Sequence, residues 1–262
     1  MAKRIHVASD SLLPLYYLQA GWHRAICYGL GDCLAAKEDY MSSQPVSAFP
    51  LDIASRQVLN QALLDSDLVS FVVNAAARTA VASFYVTSIL PEGGLLQEAY
   101  PLFLVARPVG RIAARHTVDD EVLPVRLDHI DAVLDQFATK YMDDWDIVDP
   151  PKEYRLRWTG QQLSLDARFG EEDQHVIELW QDELPRRSLD IGVWFGQLYV
   201  LDRELNPVTP AMITAWRQRW HHGAIAVAGP RKGVSVEVPQ ESPPLDLAAV
   251  LALTSAGSRD AS

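Results

Sequence analysis

Short runs that alternate between apolar and polar residues dominate the chain between Tyr154 and Asp202. Residues 153–158, 163–169 and 175–180 each present one apolar face at a period of two, the spacing of a half-buried strand. Gly160 and the cluster at 170–173 supply turn residues between them, and two further runs, 189–195 and 198–201, meet at Gly196. An antiparallel meander of four or five strands is predicted here.

Ahead of this region the periodicity is helical. A helix capped near Ser9 to Ser11 runs towards Tyr28, where Gly29 and Gly31 stop it. A second starts at Asp52 or Ser55 and turns Val58, Leu59, Ala62 and Leu63 to one side. The apolar stretch bounded by Leu68 and Leu90 has Arg78 as its one charge and the length of a membrane span. Ser70, Asn74 and Arg78 recur at every fourth position, and a central arginine is costly in lipid, so a buried helix is expected and not a membrane segment. Its many β-branched residues leave room for a helix that gives way to a strand.

Residues 100–106 read as a strand that Pro108 and Gly110 end, and Asp128 opens a helix towards Asp143 with Ile130, Val133, Leu134, Phe137 and Tyr141 on its buried face. After the meander, Thr209 and Pro210 start a helix that Gly223 terminates, and residues 224–228 and 234–238 suggest a hairpin. Together these elements predict an α+β fold: a helix-rich N-terminal half, then an antiparallel β-meander with one packed C-terminal helix. Pro150 marks the expected boundary between a helix-rich sub-domain at 1–150 and a sheet sub-domain at 151–240 carrying helix 209–222. Residues 241–262 read as linker, short helix and tail.

Composition adds limits. With 48% apolar and 22% charged residues, the 262-residue chain has the make-up of a globular protein that buries its own core. Its formal charge of −11 argues against direct nucleic-acid binding, which needs a basic face to displace counterions. Two cysteines, Cys27 and Cys33, make no disulfide framework, and Ser9 to Ser11 break the apolar run of a signal peptide, so a cytoplasmic location is expected.

Negative charge concentrates between Asp119 and Asp149, where Arg126 and Lys140 are the only balancing cations. The plain reading is a solvated face; the sharper one is a docking surface for a basic protein through Asp119, Asp120, Glu121, Asp143, Asp144 and Asp146, helped by Trp158 and Trp180. Candidate chemistry is sparse. His23 and Cys27 share a helical face, as an imidazole-activated thiolate would require, and His116 precedes the acids as a general base might precede its orienting carboxylates. Neither matches a metal-binding spacing, no motif implies a cofactor, and His221 and His222 suit a helix C-terminus. The expectation is a non-enzymatic binding protein, an inhibitor or accessory factor for a basic protein partner. The alternative is a hydrolase or transferase working through histidine and carboxylates, with or without a metal.

Overall fold

The computed structural model describes residues 46–64, 66–137, 141–142, 144–149, 158–159, 162–172, 174–183, 186–228, 235–236, 238–239 and 241–256. Everything described belongs to one compact unit within Pro45–Ser262. The first predicted helix, with His23, Cys27 and Cys33, lies outside the described residues, as do Asp143, Pro150 and the loop at 229–233.

Helix α1 (Ile53–Leu63) follows the predicted pattern: Asp52 is its N-cap, accepting from the Ser55 N–H at 3.0 Å, and Leu59, Ala62 and Leu63 are buried. From there the expected helix-rich half is overturned. The described residues build an eight-stranded, antiparallel sheet with four short α-helices. In chain order the strands are β1 (Ser66–Asn74), β2 (Thr79–Val86), β3 (Tyr100–Val118), β4 (Glu121–Leu123), β5 (Asp144–Val148), β6 (Leu165–Arg168), β7 (His175–Glu183) and β8 (Arg187–Leu201). The path runs β1-β2-β3-β8-β7-β5, with β4 and β6 added along β3. Strands from both sides of Pro150 share this one sheet.

The stretch from Leu68 to Leu90 is therefore a hairpin and not a buried helix. Asn74 Oδ1 accepts from the Ala77 N–H at 2.9 Å, and Arg78 takes a positive φ of 50° to close the turn. Every residue of β2 is buried, because core packs against both faces of the sheet here. A strand covered on both faces loses its polar alternation and reads as a continuous apolar run. Among the described residues no helix is long and apolar enough to cross a membrane.

Strand β3 passes straight through Pro108 and Gly110. On one side it pairs with β8 from Phe103↔Leu201 to Val118↔Arg187. On the other it pairs with β2 through Ala106 and with β6 from Arg111. Pro108, which has no N–H to give, falls in the gap between those two partners. Gly110 supplies a bulge between Val109 and Arg111. Across the ladder Gly196 lies within β8 rather than at a turn, with the Pro108 ring packed where its side chain would be.

The inner face carries the main core, with Leu102, Leu104 and Ile112 from β3 and Val193, Phe195 and Val200 from β8. It is covered by α1, by the short α2 (Ile130–Leu134) and by α3 (Pro210–Ala228) through Ile213. Helix α2 is shorter than predicted, and α3 continues past Gly223 through the expected strand at 224–228. Gly223 is a close-packing position against Leu96, not a terminator. On the outer face, Phe103, Val105, Tyr199 and Leu201 pack under Val250 of α4 (Leu247–Ala256).

Both edges of the sheet are occupied by side chains. At β1, Asp131 accepts from the Phe71 N–H at 2.5 Å and from the Ser70 hydroxyl at 3.2 Å, while Ser242 donates to the Val69 carbonyl at 2.9 Å. At β5, Asp144 and Asp146 accept from the N–H groups of Trp145 and Ile147, each at 2.8 Å, and Arg56 donates to the Ile147 carbonyl at 3.2 Å. Just ahead of β5, the Met142 N–H donates to the Ser66 carbonyl at 3.0 Å and Asp67 bridges to Tyr141. One short segment thus touches β1 at its start and β7 at its end, drawing the two edges together. Open edges invite pairing with other chains, and these side chains remove the template.

Asp131→Ala, which leaves the Phe71 donor without its acceptor, is expected to lower unfolding free energy by about 1–3 kcal/mol, and Asp131→Asn by less than half of that. Urea denaturation of the two variants beside the parent chain measures the difference.

Candidate functional site

Antiparallel register places side chains in rows across the strands, and on the outer face three rows hold Asp144, Asp146 and Trp180 of the sequence candidates. In the first, Asp144 of β5 stands beside Trp180 of β7, then Asp190 of β8, then Arg115 of β3. The second runs Asp146, Glu178, Gly192, Ala113 and Asp166. The third runs Val148, Val176, Trp194, Arg111 and Arg168. Residues far apart in sequence become neighbours at roughly 5 Å spacing in this arrangement.

Trp158 lies over the middle rows. Its indole N–H donates to Glu178 Oε1 at 2.5 Å, and its ring meets Trp194 edge to face at 6.0 Å and 87°. Glu178 is fully buried beneath it. Gly192 has no side chain because a Cβ there would stand 3.0 Å from the Trp158 ring. The tryptophan thus closes the sheet's surface at its centre, and the carboxyl below keeps a hydrogen-bond partner where an unpaired one would be costly.

Arg111 is fixed from three directions. Its Nε donates to Asp166 Oδ1 at 2.7 Å, its Nη2 donates to the Trp158 carbonyl at 2.5 Å, and its guanidinium carbon lies 4.7 Å from the centre of the Trp194 ring. Beside it opens a pocket of about 500 Å³ lined by Gly110, Thr159, Arg168, Glu171, Glu172 and Trp194, among others. Gly110 lets the crossing segment come this close, since a Cβ would lie 2.1 Å from the Glu172 carbonyl oxygen. The side chain of Arg168 is 71% exposed at the pocket's edge. Glu172 forms an ion pair with Arg78. The wall is mostly polar; Trp194 in it is buried, with Arg111 over its ring, and Arg168 lies 3.7 Å from Asp166 Oδ2.

The structure divides the acidic segment. Asp119 and Asp120 are the two central residues of the β3–β4 turn, with φ of 48° and 68°, a conformation that aspartate tolerates better than most residues. They and Glu121 are exposed at the end of the sheet, away from the three rows, and Arg186 approaches Asp119 to 3.8 Å. Asp128 pairs with Arg126 at 2.8 Å. Asp149 accepts from Arg56 at 2.6 Å and lies 2.7 Å from His175 Nδ1; these bonds, that to Arg56 first, hold its carboxyl below the usual range. Only Asp144 and Asp146 of the predicted acids stand with Trp158 and Trp180.

His116 is elsewhere. It sits on the inner face opposite Leu189, 3% exposed, and its Nε2 has no hydrogen-bond partner. Burial, and then the nearby Arg187 guanidinium, hold its imidazole below the ordinary histidine range. It does not face Asp144 or Asp146, which lie on the other side of the sheet. Among the described residues no group of three or more histidine, cysteine, aspartate or glutamate side chains is arranged to hold a metal ion. Sequence reasoning missed Arg111, Asp166, Glu178 and Asp190 as parts of one surface. The alternation of β7 already sets Glu178 beside Trp180, but the register that brings the others in is not a local property.

No family model, curated protein or solved structure matches this chain.

The buried His116 gives a pH dependence with a definite sign. Unfolded, it titrates near its ordinary value of about 6.5; folded, it titrates lower, so the unfolded chain takes the proton first. Stability should be undiminished by this residue above that value and should fall as pH drops from about 6.5 towards the folded pKa. Urea midpoints measured between neutral pH and about 5 should decline less steeply for His116→Leu than for the parent, and equal slopes would exclude the residue as the source.

Proposed function

We propose that this chain is a non-enzymatic docking module that receives a protein with a basic surface on the outer face of its sheet. The observation that carries this reading is the cross-strand row of Asp144, Trp180 and Asp190, with Asp146 one row along. Carboxylates beside a half-buried indole offer a cationic side chain both ion pairing and aromatic contact. The overall charge of −11 would favour encounter with such a partner at low ionic strength.

Surfaces of this type are built by rigid placement. Trp158, Trp194 and Arg111 brace one another, so little side-chain freedom would be lost on binding. The acids play a double role, because the same oxygens that accept from β5 also carry the charge. Asparagine keeps an acceptor oxygen and removes the charge, which separates the two roles.

The immobilised chain is expected to capture a basic protein from native lysate at low salt and release it at high salt. The double variant Asp144→Asn, Asp146→Asn should capture about tenfold less of that same protein while its urea midpoint changes little. Undiminished capture by the variant would leave the two aspartates as edge caps only and remove the support for this reading.

A further inference from the structure

A separate groove opens where β2 and β3 meet the turn that follows β8. Two adjoining cavities, of about 460 and 620 Å³, share Glu98, Ala99, Pro101, Arg203 and Glu204 as common wall. The first is bounded by the turn at Pro91 to Gly94 and by Tyr100; the second by Tyr85, Phe103 and the prolines 239, 243 and 244. Three carboxylates, Glu92, Glu98 and Glu204, are exposed along it. The cation in its lining is Arg203, whose Nε already lies 3.0 Å from Glu204 Oε1. Glu204 is also held by the Tyr100 hydroxyl, which donates to Oε2 at 3.3 Å, and the Tyr100 ring leans edge-on against Trp216 at 5.8 Å. Among the described residues the groove's wall carries proline and tyrosine and is net negative.

We propose that this groove binds a short extended polypeptide segment carrying a lysine or arginine. The walls decide the extended form. Proline and tyrosine rings in the walls of both cavities suit packing against an extended backbone and its apolar side chains. The charge decides the side chain. Removing Arg203 and one carboxylate as a pair leaves two carboxylates in the lining for an incoming cation. Glu241 adds to the negative field, since burial and then its charge push the Tyr85 phenol above its usual range. Burial, and then the charges of Asp202 and Glu204, do the same to Tyr100. The site shares no residue with the outer-face rows, so the two proposals stand or fall separately.

The test is fluorescence anisotropy with a labelled eight-residue peptide of alternating arginine and proline, titrated with the full chain at low salt. Saturable binding is expected, and Glu92→Gln with Glu98→Gln should weaken it about fivefold to tenfold. Arg203→Ala, which removes the competing cation, should tighten it by about twofold to threefold. An oligoarginine without proline should bind more weakly than the probe. The proposal is overturned if the probe shows no saturable binding, if the glutamine variants bind as the parent does, or if oligoarginine binds equally well, which would mean attraction to net charge alone. Circular dichroism of each variant confirms that loss of binding is not loss of fold.

Discussion

The ladder between β3 and β8 is the constraint on which the remaining architecture depends. It spans almost the full length of both strands, from Phe103↔Leu201 to Val118↔Arg187, and joins parts of the chain far apart in sequence. Every other strand is placed from it: β2, followed by β1, with β6 and β4 along the free side of β3, and β7, followed by β5, beside β8. The difficulty is at its middle, where Pro108 can give no hydrogen bond and Gly110 adds an extra residue. The strands accommodate this together, with Gly196 leaving room for the Pro108 ring and β2 ending before the proline is reached. The same bulge brings residues 170–172 against Gly110 and so shapes the pocket beside Arg111. Position of the candidate surface is a consequence of how the ladder crosses its own interruption.

Carboxylates do two kinds of work in this molecule. Asp131 holds one edge of the sheet, Asp144 and Asp146 hold the other, Asp149 ties Arg56 and His175, and Asp119 with Asp120 makes a tight turn. An acidic segment that reads as one solvated face is, in the fold, a set of separate local devices. What remains for recognition is the charge that these devices leave exposed, chiefly at Asp144 and along the groove lined by Glu92, Glu98 and Glu204. Closing the edges also serves the docking reading, because a sheet that cannot pair with other strands leaves its outer face as the surface on offer.

Strands of the second half were partly legible from local pattern, but the expected meander is overturned, since β6 pairs with β3 and not with β7 and the runs at 189–195 and 198–201 are the single strand β8. Much of the first half was not legible. The short run of β7 and the N-cap at Asp52 are visible in sequence because each is a local signal, apolar residues at every second position in the one and a capping side chain just ahead of a helix in the other. The hairpin of β1 and β2 was hidden by burial on both faces and by three alanines at its turn, which favour a helical reading. Proline and glycine in β3 read as an end of strand, since only the partner strands reveal that no ladder bond is needed at Pro108. The candidate surface followed the same division. Trp158, Trp180, Asp144 and Asp146 were nameable, whereas Arg111 and Asp166 joined them only through register.

Native-state hydrogen exchange tests the central claim most directly. If β3 and β8 form one continuous ladder through Pro108, amides at 103–106 and 198–201 should exchange last, together with those at 112–117 and 188–193, all through global unfolding. Amides on one side of Pro108 that exchange many times sooner than those on the other would show two independent halves and contradict the account.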